Sequence, residues 1–148
     1  MNSNIIIRKA VPDDAEQISV LIKDSMGYDN PPQLVRNNIE RLKDNPDHLI
    51  LVAEKDNEII GLSHGMSYDS VYYMPLKNLM SMAVKSAYQR QNIGKALLSE
   101  IEKWAKDSGC AGVRIVSGME RKGAHKFYAA CGYIYNKDQV NFIKKFSE

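Results

Sequence analysis

A chain of 148 residues is long enough to bury one hydrophobic core without disulfides or a metal, so a single domain over 1–148 is expected. Its formal charge of +2, from 20 basic and 18 acidic side chains dispersed along the chain, argues against the basic stripe of a nucleic-acid binder. Cys110 and Cys131 lack CxxC spacing, and His48, His64 and His125 lack metal-ligand spacing, which points to a reducing interior and no metal.

The chain opens Met1-Asn2-Ser3-Asn4, and the Ile5-Ile6-Ile7 run meets charge at Arg8, far short of a signal or membrane-spanning segment. A cytoplasmic protein with no membrane partner is expected. Ile5 to Lys9 reads as a strand, and Pro12-Asp13-Asp14 opens a helix to about Asp24, with Ala15, Ile18, Leu21 and Ile22 on one face. After the Gly27 to Pro32 loop, Gln33 to about Lys43 is a second helix, stopped by Asn45-Pro46. His48 to Glu54 and Glu58 to Tyr68 flank Lys55-Asp56-Asn57, as an antiparallel hairpin requires.

Leu79 to Val84 is the next strand. Ile93 to Asp107 is the clearest helix, with Ile93, Leu97, Ile101, Trp104 and Ala105 in one stripe and Ser108-Gly109 at its end. Gly112 to Ser117 reads as a strand, Arg121 to Ala130 as a helix, and Tyr133 to Tyr135 and Val140 to Phe146 as two closing strands, with Lys144-Lys145 a solvated strand end. The whole is a mixed α/β (α+β) domain with a mostly antiparallel sheet and about four helices.

Between strand and helix runs Val84-Lys85-Ser86-Ala87-Tyr88-Gln89-Arg90-Gln91-Asn92-Ile93-Gly94-Lys95. Unpaired N–H groups at a helix start, with the positive end of the helix dipole, attract anions. Asn92 and Gly94 tolerate tight backbone turns, and Gln89, Arg90, Gln91 and Lys95 supply donors and positive charge. On residues alone, this is either a phosphate cradle or an ordinary polar turn. A Walker loop is excluded, because Gln89 stands where its first Gly belongs and Ala96 where its Ser or Thr belongs.

With these elements placed, the chain resembles the GNAT superfamily of acetyl-CoA-dependent N-acetyltransferases over essentially its whole length. That family carries Arg/Gln-x-x-Gly-x-Gly/Ala after a strand ending in Val. Here Gln89-Arg90-Gln91-Asn92-Ile93-Gly94 fills it, with Asn92 in place of the first Gly; the register Gln91-x-x-Gly94-x-Ala96 also fits. A second signature, Ala-x-x-Phe-Tyr-x-x-x-Gly-Phe/Tyr, reads Ala124-His125-Lys126-Phe127-Tyr128-Ala129-Ala130-Cys131-Gly132-Tyr133. Arg121 stands where the family often has an Asn that contacts pantetheine.

The resemblance implies the acyl-CoA N-acyltransferase fold, with six to seven strands, and transfer of acetyl from acetyl-CoA to a primary amine of a small molecule, peptide or protein by direct attack in a ternary complex. A non-catalytic acyl-CoA-binding module of the same fold is the alternative. It implies cosubstrate binding by Met82, Ala83 and Val84, by Gln89 to Lys95 (Gln89, Arg90, Gln91, Asn92, Ile93, Gly94, Lys95), and by Arg121, His125 and Tyr128. Tyr128 is the implied general acid, able to donate because a phenol stays protonated at neutral pH. No Glu or Asp lies within Leu79 to Val84, where many members place a base, so Ser81, positioning a water, and His64 are the candidates. Asp29, Asp69 and Asp138, in tyrosine-bearing loops, are candidates for receiving a cationic amine or are simply loop residues. Many relatives in the superfamily are homodimers; no residue here decides that for this chain.

Overall fold

A computed structural model describes residues 4–147; Met1, Asn2, Ser3 and Glu148, which belong to the N-terminal run and the domain span read above, lie outside the described residues. β1 (Ile5–Lys9) passes through a 3-10 turn at Pro12–Asp14 into α1 (Ala15–Met26), and α2 (Pro32–Leu42) follows. β2 (His48–Lys55), β3 (Glu58–Tyr68) and β4 (Leu76–Val84) come next, then a 3-10 turn at Ser86–Tyr88 and α3 (Ile93–Asp107). β5 (Gly112–Ile115) and α4 (Lys122–Ala130) complete the order. The described residues fall into two compact units that divide between Val116 and Ser117. Among the described residues no helix is long and apolar enough to cross a membrane.

The sheet of the first unit runs β1-β2-β3-β4-β5, antiparallel throughout except for the parallel β4–β5 pair. Asp56 and Asn57 turn the β2–β3 hairpin with φ of 50° and 67°, as a two-residue turn demands. On one face, Ile18 and Leu21 of α1 and Ile39 of α2 pack against Val52, Leu62 and Ala83. The other face takes α3. A Cβ at Gly61 would stand 2.9 Å from Leu97 Cδ1, and one at Gly65 3.1 Å from Ile101 Cδ1, so the absence of side chains there lets the helix lie close.

Arg8 bolts the opening of the chain to the sheet. Its guanidinium grips both oxygens of Asp14 at 2.8 and 2.9 Å and Glu54 Oε1 at 2.8 Å. Burial pushes the Asp14 carboxyl up, but the Arg8 bonds and the Val11 N–H outweigh it and hold the group below its ordinary value.

The structure corrects the expected elements in two places. β4 begins at Leu76, not Leu79, because polar Lys77 and Asn78 are buried and hide the strand pattern. Lys77 is accommodated by Ser67 Oγ at 2.9 Å and by the Trp104 ring, 4.0 Å from Nζ. The sheet has five strands among the described residues, not six to seven: Tyr133 to Tyr135 and Val140 to Phe146 form none. Ile134, Val140, Phe142, Ile143 and Phe146 stand exposed, so the apolar alternation that suggests strands there has no ladder to join.

Candidate functional site

The loop between β4 and α3 is fixed from several directions. Lys85 N–H donates to Ile60 O at 2.8 Å, and Lys85 Nζ pairs with Glu58. Asp24, at the end of α1, accepts from Ser86 N at 2.7 Å and from Ser86 Oγ at 3.0 Å. These bonds, the backbone one first, hold the Asp24 carboxyl below its ordinary value. Gln89 Nε2 donates back to Val84 O at 3.2 Å, and Lys55 Nζ lies 5.4 Å from the Tyr88 ring centroid.

Thus held, the chain enters α3 through two residues in the left-handed region, Arg90 at φ 67° and Asn92 at φ 65°. Asn92 caps the helix with its backbone, its carbonyl accepting from Ala96 N at 3.0 Å, and no side chain caps the N-terminus. The N–H groups of Ile93, Gly94 and Lys95 have no carbonyl of the preceding turn to bond and gather at the positive end of a 15-residue helix. Ile93 anchors this corner in the core, while Arg90, Asn92 and Lys95 are exposed. The expected cradle is therefore one continuous piece of the first unit, and its local geometry suits an anionic group such as a pyrophosphate.

β4 supplies the second feature. Its pairing with β5 ends at Leu79↔Ile115, while its pairing with β3 continues to Val84. The β3 register slips between His64 and Gly65, leaving Met80 as an extra residue on β4 at the point where β4 and β5 part. Within the first unit, Met80 to Val84 thus has a strand partner on one side only. An extended chain carrying amide groups, as pantetheine does, can pair along such an edge. Met82, Ala83 and Val84 all lie in this stretch.

Ser81 and His64 are cross-strand partners, so their side chains share the face opposite α3. His64 Nε2 lies 3.0 Å from His48 Nδ1, one ring donating to the other. Burial, reinforced by His48, lowers the His64 pKa to about 4, so its ring is neutral at neutral pH. On the same face, Arg114 of β5 donates from Nη1 to Asn78 Oδ1 at 2.7 Å and stacks 4.4 Å from the Tyr68 ring centroid. Asn78 is in turn oriented by its Nδ2 contact of 3.1 Å with Met80 Sδ.

In the second unit, Tyr128 on α4 packs edge-on to Phe127 at 5.5 Å and to Tyr133 at 6.2 Å. Burial raises its pKa above the ordinary 10, with Arg121 opposing, so the hydroxyl keeps its proton at neutral pH. His125 Nε2 donates to Gly118 O at 2.8 Å, and Arg121 O accepts from His125 N at 3.1 Å, which ties both residues to the start of α4. Among the described residues no cluster of three or more His, Cys, Asp or Glu side chains is arranged for a metal.

Of the acidic loop candidates, Asp29 is paired with Lys23 at 2.9 Å, and Asp138 accepts from the Tyr135 hydroxyl. Asp69 lies exposed beyond the end of β3. The sequence reading missed Asp24 and Arg114. Asp24 carried a signal, since an acid in the last turn of a helix opposes the dipole and asks for a partner. Arg114 carried another, as the one charge in the short apolar strand Gly112–Ile115.

Comparison with known proteins bears on this site. The acetyltransferase (GNAT) family model matches residues 15–133. Aminoglycoside N(6')-acetyltransferase type 1 of Stenotrophomonas maltophilia is 27% identical over 107 residues, covering 70% of this chain and 70% of that protein. A protein of Bacillus halodurans described as a transcriptional regulator superposes with a TM-score of 0.86 at 20% identity, covering 95% of this chain and 99% of its own. The aminoglycoside acetyltransferase AAC(6')-Iy, solved with a CoA-based bisubstrate analogue, gives a TM-score of 0.82 at 18% identity, covering 95% and 98%.

Proposed function

This chain belongs to the acetyltransferase (GNAT) family and is an acetyl-CoA-dependent N-acetyltransferase, and we propose that it acts by direct attack of a primary amine within a ternary complex. The observation that carries the reading is the uncapped start of α3, entered through left-handed Arg90 and Asn92 beside the one-sided edge of β4. We take residues 1–148 as one catalytic domain, which the family match across the Val116–Ser117 division supports. Its partners on this reading are acetyl-CoA and a primary amine, without nucleic acid or a membrane.

Acetyl-CoA supplies the thioester. The N–H groups of Ile93, Gly94 and Lys95 and the turn from Gln89 to Asn92 bind its pyrophosphate, and Arg90 and Lys95 balance the charge. Backbone groups of Met82, Ala83 and Val84 align the pantetheine arm, and one N–H of this stretch polarises the acetyl carbonyl. Arg121 and His125 assist in holding the cosubstrate. The amine nitrogen bonds to the carbonyl carbon and the carbon–sulfur bond breaks. Tyr128 gives its proton to the departing sulfur. The proton shed by the amine leaves through water positioned by Ser81; His64, expected from the sequence as an alternative base, is a poor proton acceptor at neutral pH because burial and His48 lower its pKa to about 4.

The test is purified protein with acetyl-CoA and a panel of aminoglycosides, polyamines, amino acids and peptides, read as free thiol and acetylated product. Thiol release that depends on the amine is expected. Saturable CoA binding with no acceptor-dependent release over the whole panel would overturn the reading in favour of a binding module.

A further inference from the structure

Met80 stands where β4 opens, and it has a register partner on neither neighbouring strand. Pairing with β5 ends at Leu79, and pairing with β3 passes from Leu79 directly to Ser81. A bulge of this kind turns the strand and re-aims the residues that follow it, here Ser81 and Met82. An extra residue without a ladder rung on either side needs another contact to hold its place. Asn78, two positions earlier, supplies one. It is buried at 8% exposure, and a buried carboxamide is costly unless it is bonded. Its Nδ2 group lies 3.1 Å from Met80 Sδ and at a long 3.5 Å from Leu79 O, on either side of the Leu79–Met80 peptide at which the bulge begins. Its Oδ1 accepts from Arg114 Nη1 at 2.7 Å, which fixes the plane of the amide and turns its nitrogen toward Met80.

We infer that Asn78 is a positioning residue for the acetyl transfer: its carboxamide holds the bulge at Met80, and the bulge aims Ser81 and the N–H groups of the Met82 to Val84 edge at the thioester. This rests on the transferase reading above. Asn78 touches neither cosubstrate nor amine and acts through Met80. An N–H polarises a carbonyl only when it is fixed at hydrogen-bond distance from the developing oxyanion, so a donor displaced by a fraction of an ångström loses much of its effect. The Met80 thioether is a weak acceptor, so the consequence of this contact lies in where β4 points more than in how stable the fold is.

The experiment follows acetyl-CoA, isotopically labelled at its carbonyl carbon, by carbon NMR in complex with the full chain. Acetyl-CoA affinity is titrated separately, and kcat is measured with whichever amine of the panel above gives the fastest thiol release. In the wild type the bound carbonyl resonance should lie downfield of the free one, as a polarised carbonyl requires. Asn78→Asp keeps the shape and the oxygen that meets Arg114 but has no N–H to offer Met80. It should return the resonance most of the way to its free position and lower kcat by about tenfold, with acetyl-CoA affinity changed by less than about threefold. Met80→Leu should give a smaller loss of the same kind, and the two substitutions together should lose no more than Asn78→Asp alone, because the groups act as one contact. A wild-type resonance at the free position, wild-type resonance and kcat in Asn78→Asp, or losses that add in full would overturn the assignment while the transferase reading stands. Acetyl-CoA affinity that falls in step with kcat in Asn78→Asp would also overturn it, since that marks general support of the fold. Saturable acetyl-CoA binding with no turnover of any amine would overturn the transferase reading and this inference with it.

Discussion

The carboxylate of Asp24 grips Ser86 with both oxygens, taking the backbone N–H at 2.7 Å and the hydroxyl at 3.0 Å, and so ties the last turn of α1 to the start of the loop between β4 and α3. An acid placed there lies at the unfavourable end of its own helix dipole, so Ser86 is its compensation.

Asp24→Ala therefore loosens the loop without touching the acetyl group. The KM for acetyl-CoA should rise by about three- to tenfold, with kcat changing by less than about twofold, because uniform binding is lost and the transition-state contacts are not. Steady-state kinetics at fixed acceptor read this directly.

The paired imidazoles of His48 and His64 set a pH dependence of stability. The His64 pKa is lowered from 6.5 to about 4, so the folded state resists protonation that the unfolded chain accepts. The stabilisation is complete above pH 6.5 and is lost as pH falls toward 4, amounting to on the order of 2 to 3 kcal/mol. Urea unfolding between pH 4 and 7.5 should show this slope, and His64→Gln should flatten it. An equal slope in that variant would assign it to other groups.

Tyr128→Phe should lower kcat by about ten- to a hundredfold with little change in acetyl-CoA affinity, as expected for loss of a proton donor. In the wild type, burial of the hydroxyl keeps it protonated, so its deprotonation should produce no falling limb in the pH–rate profile below pH 10. A rate in Tyr128→Phe equal to wild type would remove this residue from the chemistry.

How much of this was legible in the sequence depends on what each residue needed in order to be read. Ile93 to Asp107 is found in full because its apolar stripe has helical period, and the β2–β3 turn because Asp56 and Asn57 favour it. Asn92 is legible as a stand-in for Gly, whereas Arg90, two residues earlier, adopts the same left-handed geometry with nothing in its chemistry to announce it. The first residues of β4 are hidden by Lys77, whose charge is accommodated only by Ser67 and Trp104 from other elements. Val140 to Phe146 shows the opposite failure, since strand propensity is local and strand pairing is not. Arg114 meets Asn78 and the Tyr68 ring through strand pairing, which chain spacing alone does not show.

The proposed pyrophosphate cradle depends most directly on the corner at Asn92, where a φ of 65° leads the chain into α3. Titration of CoA and of pantetheine, which lacks the pyrophosphate, into wild type, Asn92→Gly and Asn92→Val measures what that corner contributes. A β-branched residue there costs about 1 to 2 kcal/mol or displaces the turn, while Gly keeps it. CoA should bind wild type and Asn92→Gly alike and far more tightly than pantetheine does, and Asn92→Val should lose about tenfold for CoA and nothing for pantetheine. Equal affinity of wild type for CoA and pantetheine, or undiminished CoA binding by Asn92→Val, would contradict the assignment of this loop.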